Sequence, residues 1–481
     1  MGQNIQRTHF TDHDFCSFNN KLAVQLAELR NLIDHGLANE GEPSIGAELE
    51  MYLVDENLSP LPINQQVISD IANSQLQEEL NKYNLEFNLS PVNASGNPFG
   101  QMAKELDDML KRLQKHLKAY HGNVIPIGIL PTLTPHHLDQ QYMTELPRYF
   151  VLARQLSSLK GDDFEIDIHG SDELKMQCPQ VTLEGANTSF QVHLKVPSAN
   201  FKSMFNAAQL VTPIVTAVAA NSPLLFGKKL WHETRVALFK QSIDARAATE
   251  LNWHQPARVN FGHGWVRNDA WELFAENVRL FKPIIPLCSA SPFAELCLHH
   301  GTIWNWNRAV FQPGESAHFR IEFRSLPAGP TIQDMMANAA FMIGLTQYYS
   351  HTIDNLITCM PFRYADYNFY RAAQHGLNAK LVWPELEQTE LIEMNVIDIA
   401  LSLLDKAKQG LNELKVNNNE TEMLLAIIEA RLVQRQNGAI WQLKKYQELL
   451  KHLSQDQALS AMLECYCQHS GQNQPVANWP V

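Results

Sequence analysis

The chain carries no long basic tract. "GKK" and "LKKY" are short, and the formal net charge is -13. A nucleic-acid binder presents a basic patch or stripe, so that class of partner is not expected. Cysteine is sparse and scattered: Cys16, Cys178, Cys288, Cys297, Cys359, Cys465 and Cys467. An odd number without regular spacing argues against a disulfide framework and for free thiols in a reducing, cytoplasmic compartment. "CYCQH" (Cys465, Cys467, His469) has no second ligand pair beside it, so a structural zinc site is not expected there. No uninterrupted apolar run is long enough to span a bilayer. The most apolar segment, Ala207 to Phe226, is broken by Pro213, Asn221 and Pro223, and a spanning helix needs about 20 mostly apolar residues. A buried helix is expected instead, with no membrane partner. "MGQNIQRTHF" lacks the apolar core of a signal peptide, and Gln6 stands where myristoylation of Gly2 would want Ser or Thr. Neither "GxxxxGK[ST]" nor "GxGxxG" occurs, which argues against the P-loop and dinucleotide-binding folds.

What is present is an ordinary globular composition, 45% hydrophobic and 19% charged. A core of this size needs no disulfide staples. Apolar residues at helical spacing predict helices over 15–40, 100–121 and 203–220. Further helices are expected over 65–80, 145–160 and 331–358, and "VIPIGILP" as a buried strand. Residues 228–330 are rich in Trp, His and Arg, with few clear helices. Beyond Pro384 the chain turns polar, with helical repeats of Leu and Ile and a break at "KVNNNE". This divides it into a catalytic domain over 1–385 and a helical C-terminal region over 386–481 packed on it. The composition allows a homo-oligomer.

Four distant segments share one pattern. In "IGAELEMYLVD", Glu48 and Glu50 oppose Ala47, Leu49 and Met51. In "YNLEFNLSPV", Glu86 and Asn88 oppose Leu85, Phe87 and Leu89. In "TSFQVHLKVP", Gln191 and His193 oppose Phe190, Val192 and Leu194. In "SAHFRIEFRSLPAGPT", Arg320, Glu322 and Arg324 oppose Phe319, Ile321 and Phe323. Residues i and i+2 of a strand share a face. Like charges held that close repel, more so where water is scarce. Four ordinary solvated faces are the competing reading, but these polar groups are ligand types. Glu48, Glu50, Glu86 and Glu322 would supply oxygens to hard divalent cations, with His193 as a further ligand. Arg320 and Arg324 suit phosphate or carboxylate. If the strands converge, they form a nucleotide–metal site for phosphoryl transfer.

"IGAELEMYLVD", "EELNKYNLEFNLSP", "TSFQVHL" and "FRIEFR" resemble, in order, the strands of glutamate–cysteine ligases and related carboxylate–amine ligases, over about 43–345. The resemblance implies an α+β fold similar to glutamine synthetase: a curved antiparallel sheet with helices on its outer face, plus the C-terminal helical appendage. It also implies ATP and Mg²⁺ (or Mn²⁺), a glutamate γ-carboxylate activated as an acyl phosphate, attack by an amine, and a place in glutathione biosynthesis. Glu79 and Glu86 match the family's paired acids before "SP", giving a metal set of Glu48, Glu50, Glu79, Glu86, His193 and Glu322. "NSPLLFGKKLWHETRVALFKQSIDAR" resembles the segment that carries Arg235 and Arg246. The resemblance makes Arg235 and Arg324 catalytic, and Arg246, Arg320 and Gln191 nucleotide-binding. An Asp that many members carry soon after E-x-R falls here at Asp334, ten residues on; cysteine is the default amine. The alternatives are a guanidino phosphotransferase of related fold and a non-catalytic binding protein on the same scaffold. The run with His299, His300, Trp304, Trp306 and Arg308 reads as a lid or wall of the site, or as an aromatic loop packed on the core. His263 between two glycines reads as a close backbone approach or a plain turn. Arg431 or Arg435 is a minor candidate for reaching the nucleotide.

Overall fold

The computed structural model describes residues 5–36, 41–246, 256–384 and 390–481. Gly2, the end of the first expected helix at 37–40, and 385–389 at the expected domain boundary lie outside the described residues. The first half contains α1 (Asp12–His35), β1 (Ser44–Asp55), α2 (Asn64–Ile71), β2 (Leu76–Glu78), β3 (Asn84–Asn88), β4 (Val92–Asn93), α3 (Pro98–Leu117), β5 (Gly122–Ile125) and α4 (Pro147–Lys160). A hairpin of β6 (Phe164–His169) and β7 (Glu173–Cys178) follows, then β8 (Phe190–Val196) and α5 (Phe201–Ala219). Two short ribbons pair β9 (Leu224–Leu225) with β10 (Lys228–Lys229), and β11 (Val259–Asn260) with β12 (Trp304–Asn305). Among them lie α6 (Thr234–Ser242), α7 (Trp271–Leu280) and α8 (Ala294–His300), so the 228–330 stretch holds more helix than its sequence advertises. Then come β13 (Asn307–Gln312), β14 (His318–Phe323), α9 (Ile332–Ser350), α10 (Ile353–Cys359) and α11 (Phe362–His375). The rest is a small ribbon followed by α12 (Val396–Ser402), α13 (Leu404–Glu413), α14 (Asn418–Val433), α15 (Gly438–Leu449) and α16 (Gln455–Gly471).

The four alternating segments become β1, β3, β8 and β14 of one sheet, in the order β13-β14-β8-β1-β3-β2, with β4 and β5 pairing onto β1. Every pairing in this curved sheet is antiparallel. Its apolar face carries Leu49, Phe87, Val192, Leu194, Phe319 and Ile321, all buried. Helices α5 and α9 pack behind it. The α5 helix is mostly apolar and buried from Met204 to its end, and it runs on through Pro213.

Three expected elements differ. The helix expected over 65–80 stops at Ile71, where Ala72 turns left-handed (φ 49°), and the chain becomes β2 so that Leu76 sits opposite Phe87 in the core. The helix expected over 331–358 breaks between Ser350 and Ile353. "VIPIGILP" is strand only to Ile125, because Pro126 offers no N–H to a ladder.

The C-terminal helices lie directly on α9. A Cβ added at Gly410 of α13 would sit 2.0 Å from the carbonyl oxygen of Gly344 in α9, so only glycine lets these backbones approach so closely. The apolar core runs on from Met335 and Phe341 to Leu411, Leu432 and Trp441 without a break.

Candidate active site

Directly opposed residues on antiparallel strands point to the same face. The register sets Glu50 opposite Glu86, and Glu48 opposite Asn88 on one side and Gln191 on the other. His193 stands opposite Glu322, and Glu322 opposite Arg308. The period-two pattern of four separated segments is therefore one continuous polar face. On it the acids fall into two groups. Glu48, His193 and Glu322 form one; Glu50, Glu86 and Glu79, which follows β2, form the other. In each group, one ligand atom per residue lies within 4.8 Å of the others.

The groups differ electrostatically. Burial pushes the Glu322 carboxyl up, but Arg308, Arg324 and His193 outweigh it and hold Glu322 well below the usual carboxylate range. Arg308 Nε donates to one Glu322 oxygen and Arg324 Nη1 to the other, each at 2.5 Å. Burial also raises Glu48, and His193 brings it back below its ordinary value. In the second group the balance reverses. Burial and the neighbouring Glu48 push Glu86 up to about 7. Burial, Glu86, Glu50 and Glu184 hold Glu79 well above its ordinary value. Glu50 is also raised, chiefly by burial, although it accepts from the Ser189 N–H (2.7 Å), the Ser189 hydroxyl (3.0 Å) and Gln191 Nε2 (2.8 Å).

Both groups fit divalent cations. Glu48 Oε2 and both ring nitrogens of His193 are buried without a hydrogen-bond partner among the described residues. His193 Nε2 lies 3.1 Å from Glu48 Oε1, but outside hydrogen-bond geometry. Orphaned buried polar atoms are costly, and a cation would take up lone pairs of Glu48 Oε2 and of one His193 ring nitrogen. In the Glu50–Glu79–Glu86 group, Arg324 and Arg235 beside Glu50 and Arg148 near Glu79 do not outweigh burial and the repulsion of three close carboxyls. Carboxylate oxygens with one imidazole suit Mg²⁺ or Mn²⁺.

Of the expected arginines, Arg324 bridges Glu322 and Gln191 Oε1 (2.5 Å) on this face. Arg235, buried in the first turn of α6, donates through Nε to Glu233 (2.7 Å) and through Nη2 to the Ser325 carbonyl (3.0 Å), and lies near enough to Glu50 to pull its pKa down. Arg320 shares the face with Glu322, and its Nε is buried without a partner. Arg246 pairs with Asp244 (2.6 Å), beyond the far end of α6 from Arg235. Arg431 is buried against Asp334 (2.8 Å) and Asn338 (2.6 Å), so it ties α14 to α9 rather than reaching into the polar face. Asp334 caps α9 with Thr331 and accepts from the Val476 N–H. It is a structural acid. His299 and His300 are buried behind the sheet, His300 between Asn277 and the Ala309 carbonyl. His263 pairs with Glu276 at 2.5 Å, beside Gly262 in a left-handed conformation. The Cys467 thiol is pushed up to about 12 by burial.

Sequence reasoning placed Arg308 only in a run read as a lid or wall of the site or as an aromatic loop, and gave Glu184 no role. Arg308 stood in an aromatic run without alternation, and it reaches Glu322 because β13 pairs with β14. Glu184 lies in a short turn, Val181–Ala186, with no periodic pattern to reveal it. Burial and Glu50 push its carboxyl up to about 8.

Residues 44–445 match the glutamate-cysteine ligase family 2 (GCS2). The chain belongs to that family. It is a glutamate–cysteine ligase-like enzyme, and the match takes in all six clustered ligands and most of the C-terminal helices. Among solved structures, the fold is similar to the glutamate–cysteine ligase of Francisella tularensis in complex with AMP. That similarity has 11% identity and a TM-score of 0.56, covering 92% of this chain and 95% of that one. The bifunctional glutathione synthetase from Pasteurella multocida aligns at 9% identity and a TM-score of 0.49, covering 95% of this chain and 55% of that one. No curated protein sequence matches this ligase. Among the described residues, no helix is long and apolar enough to cross a membrane.

Proposed function

We propose that the chain is an ATP-dependent carboxylate–amine ligase that activates the γ-carboxylate of glutamate as an acyl phosphate and joins it to an amine, with cysteine the first candidate. One observation carries this reading: two adjacent ligand clusters on one sheet face, one of them with three buried polar atoms that no described residue hydrogen-bonds. A Francisella tularensis enzyme of the same fold holds AMP.

Glu48, His193 and Glu322 would hold one cation; Glu50, Glu79 and Glu86 would hold another. Mg²⁺ or Mn²⁺ held there would supply charge neutralisation for a triphosphate. Arg324 and Arg235 flank Glu50 and stabilise negative charge as the phosphoryl group moves to the γ-carboxylate. The amine nitrogen then attacks the acyl carbon, the C–O bond to phosphate breaks, and amide, phosphate and ADP leave.

The test is phosphate release from Mg-ATP, glutamate and cysteine, with the γ-glutamyl product identified by mass spectrometry. Phosphate release that needs both glutamate and amine is expected. If no amine in a broad panel elicits it and ATP gives no thermal shift, the proposal fails.

A further inference from the structure

The C-terminal helices connect to Arg235 through one buried asparagine. Asn221 follows α5 and is fully buried. Its side-chain amide donates to the Tyr466 hydroxyl of α16 (2.9 Å) and to the Ala328 carbonyl (2.8 Å), so both amide hydrogens are committed. Gln442 of α15 donates to the Asn221 side-chain oxygen (2.8 Å) and to its backbone carbonyl (3.1 Å). A Cβ added at Gly438 of α15 would sit 2.0 Å from Asn221 Oδ1, so the helix backbone closes directly on this side chain. The Asn221 backbone N–H in turn donates to Glu233 Oε2 (2.9 Å), and the Ser222 hydroxyl donates to Glu233 Oε1 (2.7 Å). The same buried carboxylate accepts from Arg235 Nε (2.7 Å). Arg235 Nη2 donates to the carbonyl of Ser325, the residue after Arg324 (3.0 Å). Arg235 Nη1 has no partner among the described residues.

We propose that Gln442 and Tyr466 are positioning residues of the ligase: through Asn221 and Glu233 they fix the Arg235 guanidinium, with Nη1 left for negative charge on the substrates. The proposal rests on the role given to Arg235 above. Two of the three guanidinium nitrogens are held, which sets the direction of the third. Ordering a long side chain before the ligand arrives removes that cost from binding, and charge fixed in advance stabilises a transition state without reorganisation. A helical appendage that only covered apolar surface would need no buried glutamine here. Gln442 Oε1 is itself buried without a partner among the described residues, a cost that apolar packing would avoid.

The experiment is steady-state kinetics with Mg-ATP, glutamate and cysteine, or the amine of the panel that elicits phosphate release. The variants are Gln442→Met, Tyr466→Phe, Arg235→Lys, and Arg235→Lys combined with each of the other two, with circular dichroism to confirm folding. Gln442→Met and Tyr466→Phe should each lower kcat about tenfold. The KM for ATP should stay unchanged, because the lost contact belongs to the transition state. Arg235→Lys has no Nε for Glu233 to hold, so in that background neither change should lower kcat further. Arg431→Met, on α14 outside this chain of bonds, should keep wild-type kcat once folded. Wild-type kcat in both C-terminal variants, or the same loss with Arg235 and with lysine in its place, would overturn the positioning role and leave the ligase reading standing. A wild type that releases no phosphate with any amine of the panel would overturn both.

Discussion

Glu322 and Glu86 share a face and a proposed role, yet their surroundings predict opposite stability effects. Glu322 is fully buried and satisfies two arginines. Glu322→Gln leaves that positive charge under-compensated, and breaking a buried pair costs about 3–5 kcal/mol. Denaturant unfolding should show that loss together with loss of ligase activity. Glu86→Gln should also abolish activity, but should raise the melting temperature of the metal-free protein near pH 8, because it removes a carboxyl that burial and Glu48 already push up to about 7. The same reasoning sets a pH dependence. Glu86 at about 7 and Glu184 at about 8 lie above their ordinary 4.5. A raised carboxyl contributes stability that is fully present below its unfolded value and is lost as pH rises through the folded value. Metal-free protein should therefore melt progressively lower between about pH 5 and about pH 8.5, and saturating Mg²⁺ should flatten that slope in thermal scans. At this scale the sequence marked most of the face. It showed Glu48, Glu50, Glu86, Gln191, His193, Glu322 and Arg324 by alternation, and could not show Arg308 or Glu184, whose local segments carry no period.

Among elements, alternation was legible wherever one strand face meets the core, and illegible where a strand is short. The three residues of β2 are too few to display a period, so they read as the tail of a helix, although Leu76 opposite Phe87 decides their pairing. Helices with a long apolar stripe, such as α3, were readable from spacing alone. What Arg431 does was not readable, because an arginine on a helix looks the same whether it faces solvent or a buried acid. Its position against Asp334 and Asn338 predicts that Arg431→Met destabilises the protein by about 3–5 kcal/mol in denaturant titrations. The KM for ATP of the folded variant should stay unchanged. A nucleotide-binding arginine would shift KM at little cost in stability.

Across the whole molecule, the C-terminal helices share their apolar core with the catalytic sheet's supporting helices. Trp479 is buried against Trp441 (ring centroids 4.9 Å apart) and Tyr466 (5.3 Å), and Tyr466 in turn donates to the Pro126 carbonyl beneath the sheet. Trp479→Ala should cost about 3–5 kcal/mol, the range for truncating a buried tryptophan. Tryptophan fluorescence and far-ultraviolet circular dichroism should report the same lowered transition, because no separate C-terminal core exists among the described residues to melt alone. By itself the sequence determined which side chains share a face within each strand, since that follows from the two-residue period of extended backbone. It also determined the polar character of those faces and the family whose motifs they carry. Only the tertiary structure decided that His193 faces Glu322, that the acids divide into two groups of three, that Arg308 belongs with them and that Arg431 does not. Those relations join separate elements, some near in sequence, as Arg308 and Glu322 are, and some far apart, as His193 and Glu322 are. They are set by strand register and by helices packing on a shared core, and no local period encodes either.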